Sequence, residues 1–337
     1  MKRLSLFLII ILFCLQLFSQ SFEEIKKKAE KGDIDSQYNL ALMYFYGKGT
    51  LKNLKRAFYW FKKSAEQGHG VAQYFVASMY YEGIATEKDF REAFYWFKKS
   101  AEQGYAAAQF FLAIMYYKGK GTEKNLMKAF YWMKKSAEQG YDKAQYNLAL
   151  MYYKGKGIKR DLKKALFWYK KSAEQGVAEA QYNLGVMYLE GKGTSINFKR
   201  AFYWIKKSAE QGLDKAQFNL ALMYEKGMGI PKNEKQTFYW YEKSAENGNK
   251  LAQYNVALMY FKGRGTFKDI NKTFYWMKKS SEGGVARAQV FLGVMYYFGI
   301  GTLKNKKQAA YWIKKAYENG EEKAKLLWDK YDLWKYQ

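Results

Sequence analysis

Apolar residues recur along this chain at helical spacing, and the whole pattern returns every 36 residues. Within 141–176, Ala144, Leu148, Met151 and Tyr152 stand at i, i+4, i+7 and i+8, which is one face of an α-helix. Gly155-Lys156-Gly157 ends that helix, because glycine readily takes the left-handed conformation at a helix C-terminus. Asp161 then caps a second helix, Leu162 to Gln175, and Gly176 terminates it. The capping position recurs as Asn53, Asp89, Asn125, Asp161, Asn197, Asn233, Asp269 and Asn305. Short polar side chains there satisfy the orphan amides of a helix start, worth about 1 kcal/mol each. The closing position recurs as Gly68, Gly104, Gly140, Gly176, Gly212, Gly248, Gly284 and Gly320. Start, stop and apolar spacing agree in every unit, so the chain is predicted to be all-α, built of helix–turn–helix units.

Tryptophan keeps the same register at Trp60, Trp96, Trp132, Trp168, Trp204, Trp240, Trp276 and Trp312. A fixed period of this length marks a stacked repeat protein, and a side chain present in every unit reads as structural glue. Alanine stands three residues earlier at Ala57, Ala93, Ala129, Ala165, Ala201 and Ala309, with Thr237 and Thr273 in the remaining two units. Small residues let helix axes approach to the close end of about 8–10 Å, so alanine and tryptophan are expected to form a packing pair. Eight tandem repeats follow: 33–68, 69–104, 105–140, 141–176, 177–212, 213–248, 249–284 and 285–320. Residues 21–32 match only a second helix, with Ala29 in the register of Ala65, and are read as an N-terminal capping helix. Residues 321–337 match only a first helix, with Trp328 in place of leucine, and are read as a C-terminal cap. Polar, atypical end units keep a stack from presenting sticky faces.

Residues 1–20 fall outside the repeat pattern. Lys2 and Arg3 precede an apolar run from Leu4 to Phe18, which reads as a secretory signal peptide or an uncleaved anchor. The run is short for a spanning helix, which needs about 20 apolar residues. An extracytoplasmic location is expected, periplasmic, envelope-bound or secreted. Cleavage would remove Lys2, Arg3 and Cys14, the sole cysteine, taking the net charge from +27 to +25. Packing without disulfides must then hold the domain together.

The excess of lysine favours polyanionic partners or simply a solvated surface. The paired lysines Lys62-Lys63, Lys98-Lys99, Lys134-Lys135, Lys170-Lys171, Lys206-Lys207, Lys278-Lys279 and Lys314-Lys315 form a regular stripe on the second helices. Candidate chemistry is sparse. The single histidine, His69, lies in a linker without cysteine or periodic acidic partners, so no catalytic or metal-ligating set is assigned. The Gly-Lys-Gly-Thr turns at 47–50, 119–122 and 191–194 lack the preceding glycine and strand of a phosphate loop. No cofactor is expected and no enzymatic activity is assigned.

The units resemble the Sel-one-like repeat family, a relative of the tetratricopeptide repeat. The matching segments are Ala-Gln-Tyr-Asn-Leu-Ala-Leu-Met-Tyr at 144–152, the Gly-x-Gly turn, Ala-x-x-Trp, and Lys-Lys-Ser-Ala-Glu-Gln-Gly at 170–176. The resemblance implies a right-handed α-solenoid of antiparallel helix pairs that serves as a scaffold or adaptor, with first helices lining a concave groove. Groove positions would then be Tyr38, Tyr74, Phe110, Tyr146, Tyr182, Phe218 and Tyr254, followed by Asn39, Asn147, Asn183, Asn219 and Asn255. Aromatic anchors there suit a protein or peptide partner. The same Tyr-Asn columns could instead serve packing between units, and Phe75, Phe111 and Phe291 interrupt the asparagine row. Attachment to an anionic envelope polymer through a basic convex face is the alternative function, and a β-lactamase-like or penicillin-binding enzyme a further one. Nucleic acid is disfavoured as a partner by export, and a monomer is expected.

Overall fold

The computed structural model describes residues 22–336. The predicted signal segment therefore lies outside the described residues. Helix α1 covers 22–30. Each repeat then supplies two helices of 13 residues. The first, or A, helices are α2 Ile34–Tyr46, α4 Gly70–Glu82, α6 Ala106–Lys118, α8 Asp142–Lys154, α10 Ala178–Glu190, α12 Asp214–Lys226, α14 Lys250–Lys262 and α16 Ala286–Phe298. The second, or B, helices are α3 Leu54–Glu66, α5 Phe90–Glu102, α7 Leu126–Glu138, α9 Leu162–Glu174, α11 Phe198–Glu210, α13 Glu234–Glu246, α15 Ile270–Glu282 and α17 Lys306–Glu318. Helix α18, Lys323–Lys330, and a 3₁₀ turn, Leu333–Tyr336, close the chain. The described residues contain no strand, and none of their helices is long and apolar enough to cross a membrane. The chain divides into two compact units, one ending at Trp168 and the other beginning at Tyr169.

Local sequence explains the helix boundaries. All eight capping side chains accept a hydrogen bond from the amide three residues on, at 2.9–3.1 Å, from Asn53 with Arg56 to Asn305 with Gln308. Glycine in the left-handed conformation follows the A helices, from Gly47 to Gly299. A second positive-φ position two residues later brings the turn against the preceding repeat. At Gly121 a side-chain carbon would lie 1.8 Å from the carbonyl oxygen of Phe90, so only glycine fits without displacement.

Packing differs between the two helix types. A helices bury broad stripes such as Ala72, Gln73, Val76, Ala77 and Met79. B helices bury narrow ones such as Ala57, Phe61, Ser64 and Ala65. The alanine column is fully buried, as expected from its size. The large residue buried with it is the one after the tryptophan, namely Phe61, Phe97, Met133, Tyr169, Ile205, Tyr241, Met277 and Ile313. The tryptophans themselves sit at the margin of the core: Trp96, Trp240, Trp276 and Trp312 retain 5–8% exposure, and the other four are half-buried. Helical geometry accounts for the difference, since the i+4 residue shares the alanine's face with i+7 and i+8 while i+3 falls at its edge. Each tryptophan instead meets the aromatic ring before it edge-to-face at about 5 Å, as Trp96 meets Tyr95.

Buried glutamines tie neighbouring repeats together. Gln73 donates through Nε2 to the carbonyl of Ala65 at 3.1 Å and accepts from Gln103 Nε2 at 2.8 Å. Gln109 repeats this with Ala101 and Gln139, and Gln217 with Ala209 and Asn247. Gln37 makes the same bond to Ala29, which gives α1 the packing role of a B helix. Serines of the B helices add bonds to the start of their own A helix, as Ser100 Oγ does to the Gly70 carbonyl at 2.7 Å. No buried side-chain polar atom among the described residues is left without a partner, as close-packed interiors demand.

The C-terminal cap is shorter as a helix than the 321–337 expectation. The helix stops at Lys330, and the chain turns through Asp332 at φ 49° to bury Leu333 against Ala310 and Ile313. Tyr331 stacks on Tyr297 at 4.4 Å and covers the last A helix. Burial of that aromatic and of Leu333 outweighs continuing the helix into solvent.

Candidate binding surface

The aromatic column lies on the A helices. Phe110 is buried, while Tyr38, Tyr74, Tyr146, Tyr182, Phe218 and Tyr254 are half-buried. Asn39 is exposed, and Asn147, Asn183, Asn219 and Asn255 are half-buried. Burial pushes the hydroxyls of Tyr38, Tyr182 and Tyr254 above the ordinary tyrosine value, so they hold their protons further into the alkaline range.

The asparagines do not form one uniform row. Asn147 donates to the Lys143 carbonyl of its own helix at 2.8 Å. Asn219 donates to the Tyr182 hydroxyl at 3.2 Å, joining two columns across neighbouring repeats. Burial and Glu225 push the Tyr241 hydroxyl up, and Asn255 opposes them with a smaller lowering effect. In the second unit Phe218, Tyr254 and Asn255 line one open depression, edged by Lys250, Arg287 and Glu321. The Arg287–Glu321 pair closes to 3.7 Å.

The interruptions of the asparagine row have a packing cause. The row forms one corner of a triangle with a residue near the end of the preceding A helix and the buried B-helix residue that follows tryptophan. Between repeats one and two the corners are Phe45, Phe61 and Phe75; Phe61 and Phe75 stack at 4.7 Å and 3°. Between repeats two and three they are Tyr81, Phe97 and Phe111, stacked at 5.1 Å and 7°. Between repeats six and seven they are Glu225, Tyr241 and Asn255, where Tyr241 donates to Glu225 at 3.1 Å. Between repeats seven and eight Phe261 meets Phe291 edge-to-face at 5.3 Å. Between repeats three and four the corners are Tyr117, Met133 and Asn147, and a cavity of about 260 Å³ opens there. Single-unit alignment misses these triangles because each joins two repeats.

In four of its seven lysine pairs the basic stripe is partly compensated within its own helices. The first lysine of a pair meets a glutamate four residues on: Lys98–Glu102 at 3.8 Å, Lys134–Glu138 at 3.5 Å, Lys170–Glu174 and Lys206–Glu210 at 3.8 Å. The second lies over the aromatic pair, as Lys99 does 4.8 Å from Tyr95 and 5.6 Å from Trp96. His69 caps α4: its Nδ1 accepts from the Ala72 amide at 3.1 Å, its Nε2 is 3.6 Å from Asp35, and its ring stacks on Tyr38 at 4.6 Å. Among the described residues no group of His, Cys, Asp and Glu is placed to hold a metal ion.

Helix pairs capped alike, sewn by buried glutamines and bearing side-chain ladders define an all-helical tandem-repeat protein. The Sel1 repeat model matches residues 34–69, 70–105, 106–141, 142–177, 178–213, 214–249, 250–285 and 286–321, and the chain belongs to that family. Its structure is similar to a protective antigen of uropathogenic Escherichia coli strains displaying an SLR fold, with 36% identity and a TM-score of 0.85. That match covers 90% of this chain and 65% of the antigen, so the chain spans under two thirds of its length. A Sel1 repeat protein from Oxalobacter formigenes is 29% identical with a TM-score of 0.70, covering 94% of this chain and 92% of that one. A comparison with curated proteins finds no match. Sel1 repeat proteins generally mediate protein–protein interaction and are generally non-enzymatic.

Proposed function

We propose that this chain is an exported scaffold that binds another protein, or a peptide segment of one, through the A-helix columns of its repeats. The observation that carries the reading is the half-burial of Tyr38, Tyr74, Tyr146, Tyr182, Phe218 and Tyr254, which leaves part of each ring in the column accessible. Rigid aromatics of this kind are the residues that dominate interface energy. Half-buried asparagines beside them supply hydrogen bonding. Export rests on Lys2 and Arg3 followed by the apolar run from Leu4 to Phe18. The local Lys–Glu pairs and lysine–aromatic contacts of the B helices favour the A-helix surface over a polyanion-binding stripe.

The test is capture of partners from cell envelope and culture fluid by the wild type and by Tyr146→Ala/Tyr182→Ala. Loss of specific partners, with the helical signal intact, supports the reading. Identical partner sets from the two proteins would sink it.

A further inference from the structure

We propose that the cavity between α6 and α8 is an anchor pocket for one bulky apolar side chain of an acidic peptide segment. This deepens the protein-binding role and rests on it. The pocket exists because one packing triangle is left unfilled. At the two preceding junctions the corners facing each other are phenyl rings, Phe61 on Phe75 and Phe97 on Phe111, in parallel stacks. At this junction Met133 and Asn147 take those two places, and Asn147 turns its amide to the carbonyl of its own Lys143. A flexible thioether and a short amide occupy less space than two stacked rings, and the remainder is the cavity.

Its chemistry selects the occupant. Ile114, Met133, Leu150 and Met151 supply an apolar floor, with Met133 and Met151 almost fully buried. Lys118, Lys154 and Lys156 surround the opening, all three exposed, and no carboxylate is among the residues lining it. Lys156 approaches the ring of Tyr117 to 5.9 Å, which holds one positive charge beside the mouth. In repeat five the counterpart of Lys156 is Lys192, which is bridged by Glu190 at 2.6 Å. In repeat four the counterpart of that glutamate is Lys154, so the charge around this pocket is reinforced rather than cancelled. A volume of about 260 Å³ falls below the roughly 300–1,000 Å³ of small-molecule sites and suits a single apolar anchor. Carboxylates flanking that anchor would meet the lysines at the rim, and apolar methionine walls adapt to differing side-chain shapes.

The probe is a fluorescein-labelled peptide with one leucine between two pairs of glutamates, followed by anisotropy against the full chain. Controls replace the leucine by serine, or the glutamates by lysine. Met133→Phe/Asn147→Phe rebuilds the stacked pair of the earlier junctions and fills the pocket. Lys118→Gln/Lys154→Gln/Lys156→Gln removes the exposed charges and leaves the core untouched. Saturable binding of the glutamate–leucine probe is expected, weakened about tenfold or more by the serine control and by each variant. Added salt should weaken it further in the wild type and much less in the lysine variant. Absence of saturable binding, equal binding by the filled variant, or preference for the lysine peptide overturns the pocket, as does uptake of dodecanoate without the peptide. Running the filled variant in the partner-capture experiment separates the two proposals. An unchanged partner set overturns the pocket alone, whereas failure of the wild type to capture partners overturns the scaffold role whatever the peptide does.

Discussion

The junctions among the first three repeats and the junction between repeats six and seven share one backbone plan but close their triangles with opposite chemistry. In the first unit Phe61 stacks on Phe75 and Phe97 on Phe111, so shape alone locks one repeat to the next. In the second unit Tyr241 is buried with its hydroxyl donating to Glu225. Arg264 approaches Glu225 at 3.7 Å and Glu234 at 3.0 Å, completing a charged edge. Stacked rings hold by dispersion and excluded water, which tolerate small displacements and ignore pH. The polar triangle holds by directional bonds, which specify register and fail as soon as one partner is lost.

Truncation of the ring stack should show the largest effect. Phe97→Ala removes a fully buried ring and is expected to cost about 3–5 kcal/mol. Tyr241→Phe keeps the ring and removes one bond to a carboxylate, for roughly 1.5–3 kcal/mol at most, with Arg264 still beside Glu225. Urea titration with hydrogen exchange resolved along the chain would measure both, since a repeat array need not unfold in one step. Equal losses at the two sites would break the distinction between them.

High pH should separate the two regions without any mutation. Burial, together with the charge of Glu225 and the bond to it, pushes the Tyr241 hydroxyl well above the ordinary value of 10. Burial and the Glu242 carboxylate, 2.8 Å away, do the same for Tyr260. A tyrosine with a raised folded value is neutral and stabilising below about pH 10, where the unfolded chain also keeps its proton. Above that, the unfolded state ionises first and the contribution falls away as pH climbs toward the folded value. Hydrogen exchange at rising alkaline pH should therefore loosen α12 to α15 before α3 to α5, where Phe61 and Phe97 stand in the place of Tyr241. Tyr241→Phe should flatten that alkaline response. Simultaneous loosening of both regions would show that the triangles do not set local stability.

Much of this was legible in the sequence because it is local. The eight capping side chains bond the amides three residues on, and the closing glycines from Gly68 to Gly320 all have positive φ, as their spacing predicts. What escaped the reading joins residues far apart in the chain. Gln73 and Gln103 are 30 residues apart, and their bond ties two helices that a unit-by-unit alignment treats separately. Phe75 and Phe111 interrupt the asparagine row where a B-helix phenylalanine faces them, and Phe291 does so where it meets Phe261 of the preceding A helix. The constancy of tryptophan points to a central place for it, yet Phe61 and its variable counterparts fill the centre. His69 is the cap of a helix rather than a stray linker residue, a role visible only once its Nδ1 was seen facing the Ala72 amide.

The two regions differ in side chains on a shared backbone, and one loop tests how far that sharing extends. Gly121, Gly157, Gly229, Gly265 and Gly301 occupy a left-handed turn pressed against the preceding repeat. Repeat two has Ala85 at this position and still holds φ at 61°, among the few positive values of non-glycine residues in the described chain. An L-residue pays about 1–2 kcal/mol there, partly offset by the roughly 0.5–1 kcal/mol of extra freedom that glycine would lose on folding. Ala85→Gly should therefore stabilise the first unit by about 0.5–1 kcal/mol, read as slower hydrogen exchange in α3 and α4. The reverse change at Gly121 should destabilise far more, since the added carbon would meet the Phe90 carbonyl. A loss of stability in Ala85→Gly would mean that the repeat-two loop has found its own backbone solution, and that the repeats differ in more than the side chains at their corners.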